Sequence, residues 1–332
     1  MLLLAIFLAL SIFIPHSTAH LDLSPEELDG YHANIKRDSK ALSQCLQSPG
    51  MQDHNAHMLA HRDNTLRRLR KVRGLGLDDG LLKRNNNVRN KWAAINHEQA
   101  PGHSRDPQDL FDFRWGDQPK YNNTGCALTP ASTEGPFWHY FATERQDIRA
   151  GQRGIYLRLA MQVIYVATCK PLHGARIDVW KANAMGQYSD NADGYLRGWQ
   201  PTSYQGTVDF DTNFPGHYPG RASHIHVIVR AVNERRVVSF GMIYFDQNIR
   251  NAVEATARYK GSIIPLVSNL EDEWIPVDSS SNYDPFVRWS RIGKSLEDGG
   301  LLAWITLGFN TIAGRVSQPP GKKRHAMDWH LR

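Results

Sequence analysis

His224-Ile225-His226 is the stretch whose residue types and spacing most directly suggest chemistry. In a strand, residues two apart share a face, so both imidazoles point one way while Ile225, Val227 and Val229 point the other, into apolar packing. Two imidazoles on one face can hold one metal ion. A chain with 15 histidines contains such pairs by chance, so the pair needs context. Two tyrosines in turns supply it. Phe214-Pro215-Gly216-His217-Tyr218-Pro219-Gly220 is a tight turn that leads into the histidine strand and presents Tyr218. Asn183-Ala184-Met185-Gly186-Gln187-Tyr188 is a second turn, after a buried-looking strand, and presents Tyr188. A phenolate is a hard oxygen donor with a high ordinary pKa, and only a strongly Lewis-acidic ion keeps it deprotonated near neutral pH. Two phenolate oxygens and two imidazole nitrogens suit ferric iron and leave room for a substrate. On the residues alone, the two tyrosines serve equally well as aromatic anchors of their turns.

The elements that must position these residues follow from periodicity. From Cys126 onward the apolar pattern has period two. Ile155, Leu157, Leu159, Met161, Val163 and Tyr165 alternate along one face, with Arg158 and Gln162 on the other. Ala175, Ile177 and Val179 alternate against Arg176 and Asp178. Further strands are predicted over 207–211, 224–232, 237–245 and 301–309. Short strands separated by Gly and Pro read as an all-β sandwich.

An α-helical extension precedes it. Ser24 can cap a helix, Pro25 suits its first turn and Glu27 completes a capping box. Leu28, Tyr31, Ile35, Leu42 and Leu46 recur at roughly helical spacing until Ser48-Pro49-Gly50. A second helix is predicted from about Asp53 to Val72, with Met58, Leu66, Leu69 and Val72 apolar. Its His54, His57 and His61 share a face and read as solvated, because no acidic or Cys partner stands nearby.

The ends and composition set the compartment. Met1 to Ile14 is an apolar run broken only by Ser11, shorter than the roughly 20 residues a membrane span needs. Ser17-Thr18-Ala19 follows, which predicts a signal peptide over 1–19 and a secreted, extracellular protein. The expected organisation is then a helical region over 20–80, a polar linker over 81–123, the sandwich over 124–316 and a flexible basic tail over 317–332. Asn122-Asn123-Thr124 is a glycosylation sequon. Three cysteines are too few for a disulfide scaffold, yet in an oxidising compartment two can join. Cys126 with Cys169 is the expected pair, since both flank strand-like segments of one domain. A net charge of +6 is too weak to argue for nucleic acid, and no other segment reaches membrane length.

Longer motifs carry a family resemblance. Leu128-Thr129-Pro130, Thr133-Glu134-Gly135-Pro136-Phe137, Asp178-Val179-Trp180 through Tyr188-Ser189, Leu196-Arg197-Gly198-Trp199-Gln200-Pro201-Thr202, the Phe214–Tyr218 turn and Gly220-Arg221-Ala222-Ser223-His224-Ile225-His226-Val227 occur in order. Together they resemble the intradiol ring-cleavage dioxygenases, nearest the secreted fungal branch. The resemblance implies a mixed β-sandwich and a non-haem Fe(III) enzyme. It would use O2 to open a catechol between its hydroxyl carbons, giving a muconate-type diacid. By position it implies Tyr188, Tyr218, His224 and His226 as iron ligands. Tyr218 would also leave the metal to accept a substrate proton, and Arg221 would stabilise negative charge developing on the ring. The implied partners are a catechol-type small molecule and O2, without nucleic acid or stable membrane association; a homodimer stays open.

Two positions depart from the resembling pattern. Met242 stands where an amide side chain is usual, and a thioether cannot donate a hydrogen bond. Lys181 stands where a His is usual after Trp180. A second expectation therefore stands beside the enzyme: a secreted sandwich that binds metal or aromatic ligands but is impaired in ring cleavage. A third, copper chelated by an N-terminal His20 after cleavage, leaves the tyrosine pair unused. The aromatic residues Trp138, Tyr140, Trp199 and Tyr204 are candidates for the pocket wall, and the helical region for a lid or dimer contact.

Overall fold

The computed structural model describes residues 24–75, 126–127, 137–139, 141–230, 239–275 and 284–310. The signal peptide, linker, sequon and basic tail expected from the sequence lie outside the described residues, as do Tyr140 and the motifs over 128–130 and 133–136. Period-two alternation makes β-strands, and those described form two sheets packed face to face. The first sheet holds β1 (Cys126–Ala127), β2 (Tyr156–Tyr165), β3 (Lys170–Pro171), β6 (Thr207–Asn213), β9 (Arg288–Arg291) and β10 (Leu301–Phe309). Its central pair, β2 with β10, is parallel, with Leu301 opposite Leu157 and Phe309 opposite Tyr165. The second sheet is antiparallel in the order β5 (Arg197–Pro201), β4 (Arg176–Trp180), β7 (His224–Arg230) and β8 (Ser239–Tyr244). The expected sandwich is thus observed.

One face of each sheet fills the space between them. Leu157, Leu159, Met161 and Val163 of β2 and Ile305 and Leu307 of β10 pack with Ile177, Val179, Ile225, Val227, Val229 and Ile243 of the second sheet. Each such side chain, fully buried, contributes about 1.5–3 kcal/mol. Because side chains alternate, Trp180, His224, His226, Met242 and Tyr244 must emerge on the outer face of the second sheet.

The outer face of the first sheet is covered by a helical hairpin, α1 (Pro25–Gln47) and α2 (Pro49–Val72). Leu42, Leu46 and Met51 pack on Ile164 and Val166, and Leu66 and Leu69 pack on Ala160, Leu302 and Trp304. Burial here explains why Arg158 and Gln162, on the polar face of the strand, are inside. Arg158 pairs with Asp211 at 3.3 Å, and Gln162 meets the ring of His54. His61 faces Asp209 at 3.3 Å. The histidine face of α2 is therefore partly a contact face, and only His57 of the three is exposed.

Four further expectations change. The second helix begins at Pro49, earlier than Asp53, because proline is pre-set for the first helical position and needs no N–H there. Val72, expected to turn inward, is exposed in the last turn. Cys169 pairs with Cys45, not Cys126, because α1 lies across the first sheet and brings Cys45 to the turn after β2. The helices cover the first sheet, which places them away from the outer face of the second and argues against a lid there.

Candidate functional site

Strand β7 sets the first half of the site. His224 and His226 stand on one face with their Nε2 atoms 3.2 Å apart. Ala222 carbonyl accepts from His224 Nδ1 at 2.7 Å, which fixes the proton there and leaves Nε2 with its lone pair. Trp180, opposite His226 across the β4–β7 pair, stacks on its ring at 4.7 Å and 8°. Both imidazoles are buried.

The two turns bring the tyrosines to the same place. Tyr218 Oη lies 3.3 Å from His224 Nε2. The Tyr188 ring meets Tyr218 edge-on at 5.6 Å and lies 6.1 Å from His226. The turns interlock through two glycines. Gly186, at φ +78°, faces the His217 carbonyl where a methyl would clash, and Gly216 faces the Asn183 carbonyl in the same way. Asn183 organises the first turn, since its Oδ1 accepts from the N–H groups of Met185 and Gln187 at 2.9 and 3.0 Å. His217 anchors the second between Glu254 Oε1 at 2.8 Å and the Ile264 carbonyl at 2.9 Å.

The donor set fits a hard, strongly charged metal ion. The Tyr188 hydroxyl is buried and has no hydrogen-bond partner. Desolvation, with Tyr218 beside it, pushes that phenol well above its ordinary value. Burial likewise raises Tyr218 to about 12, against the pull of Arg221. Without a cation both phenols stay protonated, and a trivalent ion among two oxygens and two nitrogens reverses that preference. Among the described residues no cluster of three or more His, Cys, Asp or Glu side chains offers another metal site.

Arg221 sits at the edge of this cluster, buried. Its Nη1 donates to Tyr218 Oη at 3.2 Å and its Nη2 to Tyr244 Oη at 3.2 Å. Asp272 holds it, accepting from Arg221 Nε at 3.0 Å and from the Ala222 N–H at 2.6 Å. Tyr244, Tyr218 and Asp272 together outweigh desolvation and hold the guanidinium firmly protonated. Met242 lies opposite His226, and its sulfur is 3.5 Å from Arg221 Nη2 and 3.7 Å from Tyr244 Oη.

The structure thus brings together Tyr188, Tyr218, Arg221, His224, His226 and Met242. Lys181 is buried apart from them, with the Ala182 carbonyl 3.4 Å from Nζ. Of the proposed wall residues, Tyr204 is on the surface stacked on His173, while Trp199 and Trp138 lie under Arg176 and Arg230 at 4.3 and 4.7 Å. The ring that does reach the site is Phe137, stacked on Tyr188 at 4.8 Å and 19°. Asp272 and Tyr244 are the partners the sequence did not disclose. Tyr244 had a signal, standing two residues from Met242 on the same strand face.

The chain is similar to solved intradiol dioxygenases. An intradiol ring-cleavage dioxygenase from Tetranychus urticae is 28% identical over 56% of this chain and 95% of that one, with a TM-score of 0.49. The dioxygenase domain of a dioxygenase carbohydrate-binding protein fusion from Streptomyces sp. SirexAA-E is 24% identical over 54% and 96%, with a TM-score of 0.38. Catechol 1,2-dioxygenase from Pseudomonas arvilla C-1 is 20% identical over 54% and 60%, also with a TM-score of 0.38. No protein-family model and no curated protein matches the chain.

Proposed function

We propose that this chain is a secreted, non-haem Fe(III) intradiol dioxygenase. It would insert both atoms of O2 into a catechol-type diol and release a muconate-type diacid. The observation that carries the reading is the convergence of Tyr188, Tyr218, His224 and His226, with the Tyr188 hydroxyl buried and without a hydrogen-bond partner. These four would hold the iron. When bound, ferric iron would supply the Lewis acidity that keeps the tyrosines ionised and receives the diol oxygens. Tyr218 would also act as the base at Oη, the role the resemblance implies for it, with Arg221 Nη1 at 3.2 Å from that oxygen. Arg221, fixed by Asp272, keeps a cation beside that oxygen as the proton moves and stabilises charge on the ring. Trp180 keeps the His226 ring from turning. The Cys45–Cys169 disulfide supports an oxidising, extracellular compartment.

A second reading is favoured by Met242. Its thioether is a weak acceptor and no donor beside Arg221, so the same site would bind metal and an aromatic diol while turning over poorly. One preparation separates the readings. Purified protein supplied with ferric iron is expected to show a visible tyrosinate-to-iron charge-transfer band, lost in the Tyr188→Phe, Tyr218→Phe double variant, and to consume O2 with catechol. A band without O2 consumption selects the second reading. Protein that stays colourless with ferric iron overturns both.

A further inference from the structure

Arg197, at the start of β5, is a buried guanidinium with unusual partners. Its Nη1 donates to the Phe137 carbonyl at 2.6 Å and its Nη2 to the Ser189 carbonyl. Its Nε is buried without a hydrogen-bond partner, and among the described residues no carboxylate is hydrogen-bonded to it. A buried cation whose hydrogen bonds go to carbonyls gains from negative charge nearby, and the Asp190 carboxylate supplies part of it.

The two carbonyls show which further group this cation serves. Ser189 follows Tyr188 in the chain, and Phe137 is the residue whose ring stacks on Tyr188. Arg197 therefore ties together the two segments that hold the Tyr188 ring, one from behind and one from its face. Both flanks of this tie are in a backbone region that side-chain-bearing residues rarely adopt, Phe137 at φ +64° and Leu196 at φ +54°. Such conformations persist where surrounding contacts over-determine them, and they gather at functional sites. Arg145 adds a second layer, donating from Nε and Nη2 to the Arg197 carbonyl at 3.0 and 2.6 Å. The Tyr188 hydroxyl and the Arg197 Nε are both buried without hydrogen-bond partners, and the phenol and the cation are close enough to interact electrostatically.

We propose that Arg197 is a positioning residue for Tyr188: its two-pronged hold on the Phe137 and Ser189 carbonyls fixes the Tyr188 ring, and its charge would favour the tyrosinate that a bound metal requires. The inference rests on the iron reading of the site. Outer partners of metal ligands typically change metal affinity by about 10–100-fold when removed. A planar fork that spans two carbonyls is not reproduced by lysine, which keeps the charge but reaches one acceptor at a time.

The test compares wild type, Arg197→Gln, Arg197→Lys and Tyr188→Phe, each loaded with ferric iron and checked for folding by circular dichroism. In Arg197→Gln the charge-transfer band is expected to fall to that of Tyr188→Phe, with iron bound about 10–100-fold more weakly. Arg197→Lys is expected to recover part of the affinity but to keep a displaced band, because charge returns without the fork. A folded Arg197→Gln variant with the wild-type band and iron affinity overturns the proposal, even if its melting temperature falls. If Arg197→Gln does not fold, Arg197→Lys decides: a displaced band supports the clamp and an unchanged band overturns it. Wild-type protein without any band overturns the iron reading and this inference with it, a result distinct from a normal wild-type band unaffected by both substitutions.

Discussion

At the scale of single residues, Lys181 shows what burial does to a charge that chemistry does not use. It is fully enclosed, its nearest hydrogen-bond partner is the Ala182 carbonyl, and desolvation pulls its ammonium well below the ordinary 10.5. The folded chain therefore holds it neutral at pH values where the unfolded chain binds a proton. Stability gains as pH rises through that window, and the penalty is largest at low and neutral pH. Lys181→Met is expected to raise unfolding free energy by about 1–3 kcal/mol at pH 7, and by less near pH 10. Urea melts at the two pH values check this; an equal effect at both would mean the amine is not the cause. The same scale shows what a sequence discloses. Tyr218, His224 and His226 stand within one turn and one strand, so local spacing makes them legible. Asp272 is 51 residues from the Arg221 it holds, and Arg197 is 60 from Phe137. Partnerships made by folding over such distances leave no local pattern.

At the scale of elements, the Tyr218 turn is only as rigid as what it is tied to. His217 ties it to α3 (Gln247–Glu254) through Glu254 and to the following loop through the Ile264 carbonyl. Both partners accept, so the protonated ring can donate to each at once. Burial opposes that charge, but the two hydrogen bonds and Glu254 together leave His217 above its ordinary value. The sign follows: this stabilisation is fully present below the unfolded value of about 6.5 and is lost as pH rises through the higher folded value. Glu254→Gln is expected to remove about 1 kcal/mol at pH 6 and progressively less at higher pH, flattening the stability profile. Thermal melts from pH 5.5 to 8.5 decide, and parallel profiles would exclude the His217–Glu254 pair as the source. Helix α3 illustrates the limits of periodicity. Eight residues with Ile249 and Val253 as its apolar contacts are too short to stand out, and β9 at four residues shows even less.

At the scale of the molecule, the sandwich separates two surfaces. The helical hairpin closes the outer face of the first sheet, and the tyrosine–histidine cluster occupies the outer face of the second, with the core between. The alternation that made the sandwich legible could not say which polar face would be covered. Arg158 and Gln162 look like solvent-facing residues until α2 supplies His54 and the strand edge supplies Asp211. The disulfide then becomes a structural staple, since Cys45–Cys169 fastens α1 to the turn after β2 and closes a chain separation of 124 residues. Loops of that order gain stability chiefly because the unfolded chain loses freedom, so Cys45→Ser is expected to cost about 2–4 kcal/mol. The separation of surfaces adds a second requirement. Below its lowered melting point, ferric-loaded Cys45→Ser should keep the wild-type charge-transfer band, because nothing in the hairpin touches Tyr188, Tyr218, His224 or His226 through the described contacts. A melt and a visible spectrum on the same sample test both halves. Stability lost with the band intact fits two independent faces on one core; a band lost with the staple would mean that the core transmits the position of the helices to the site.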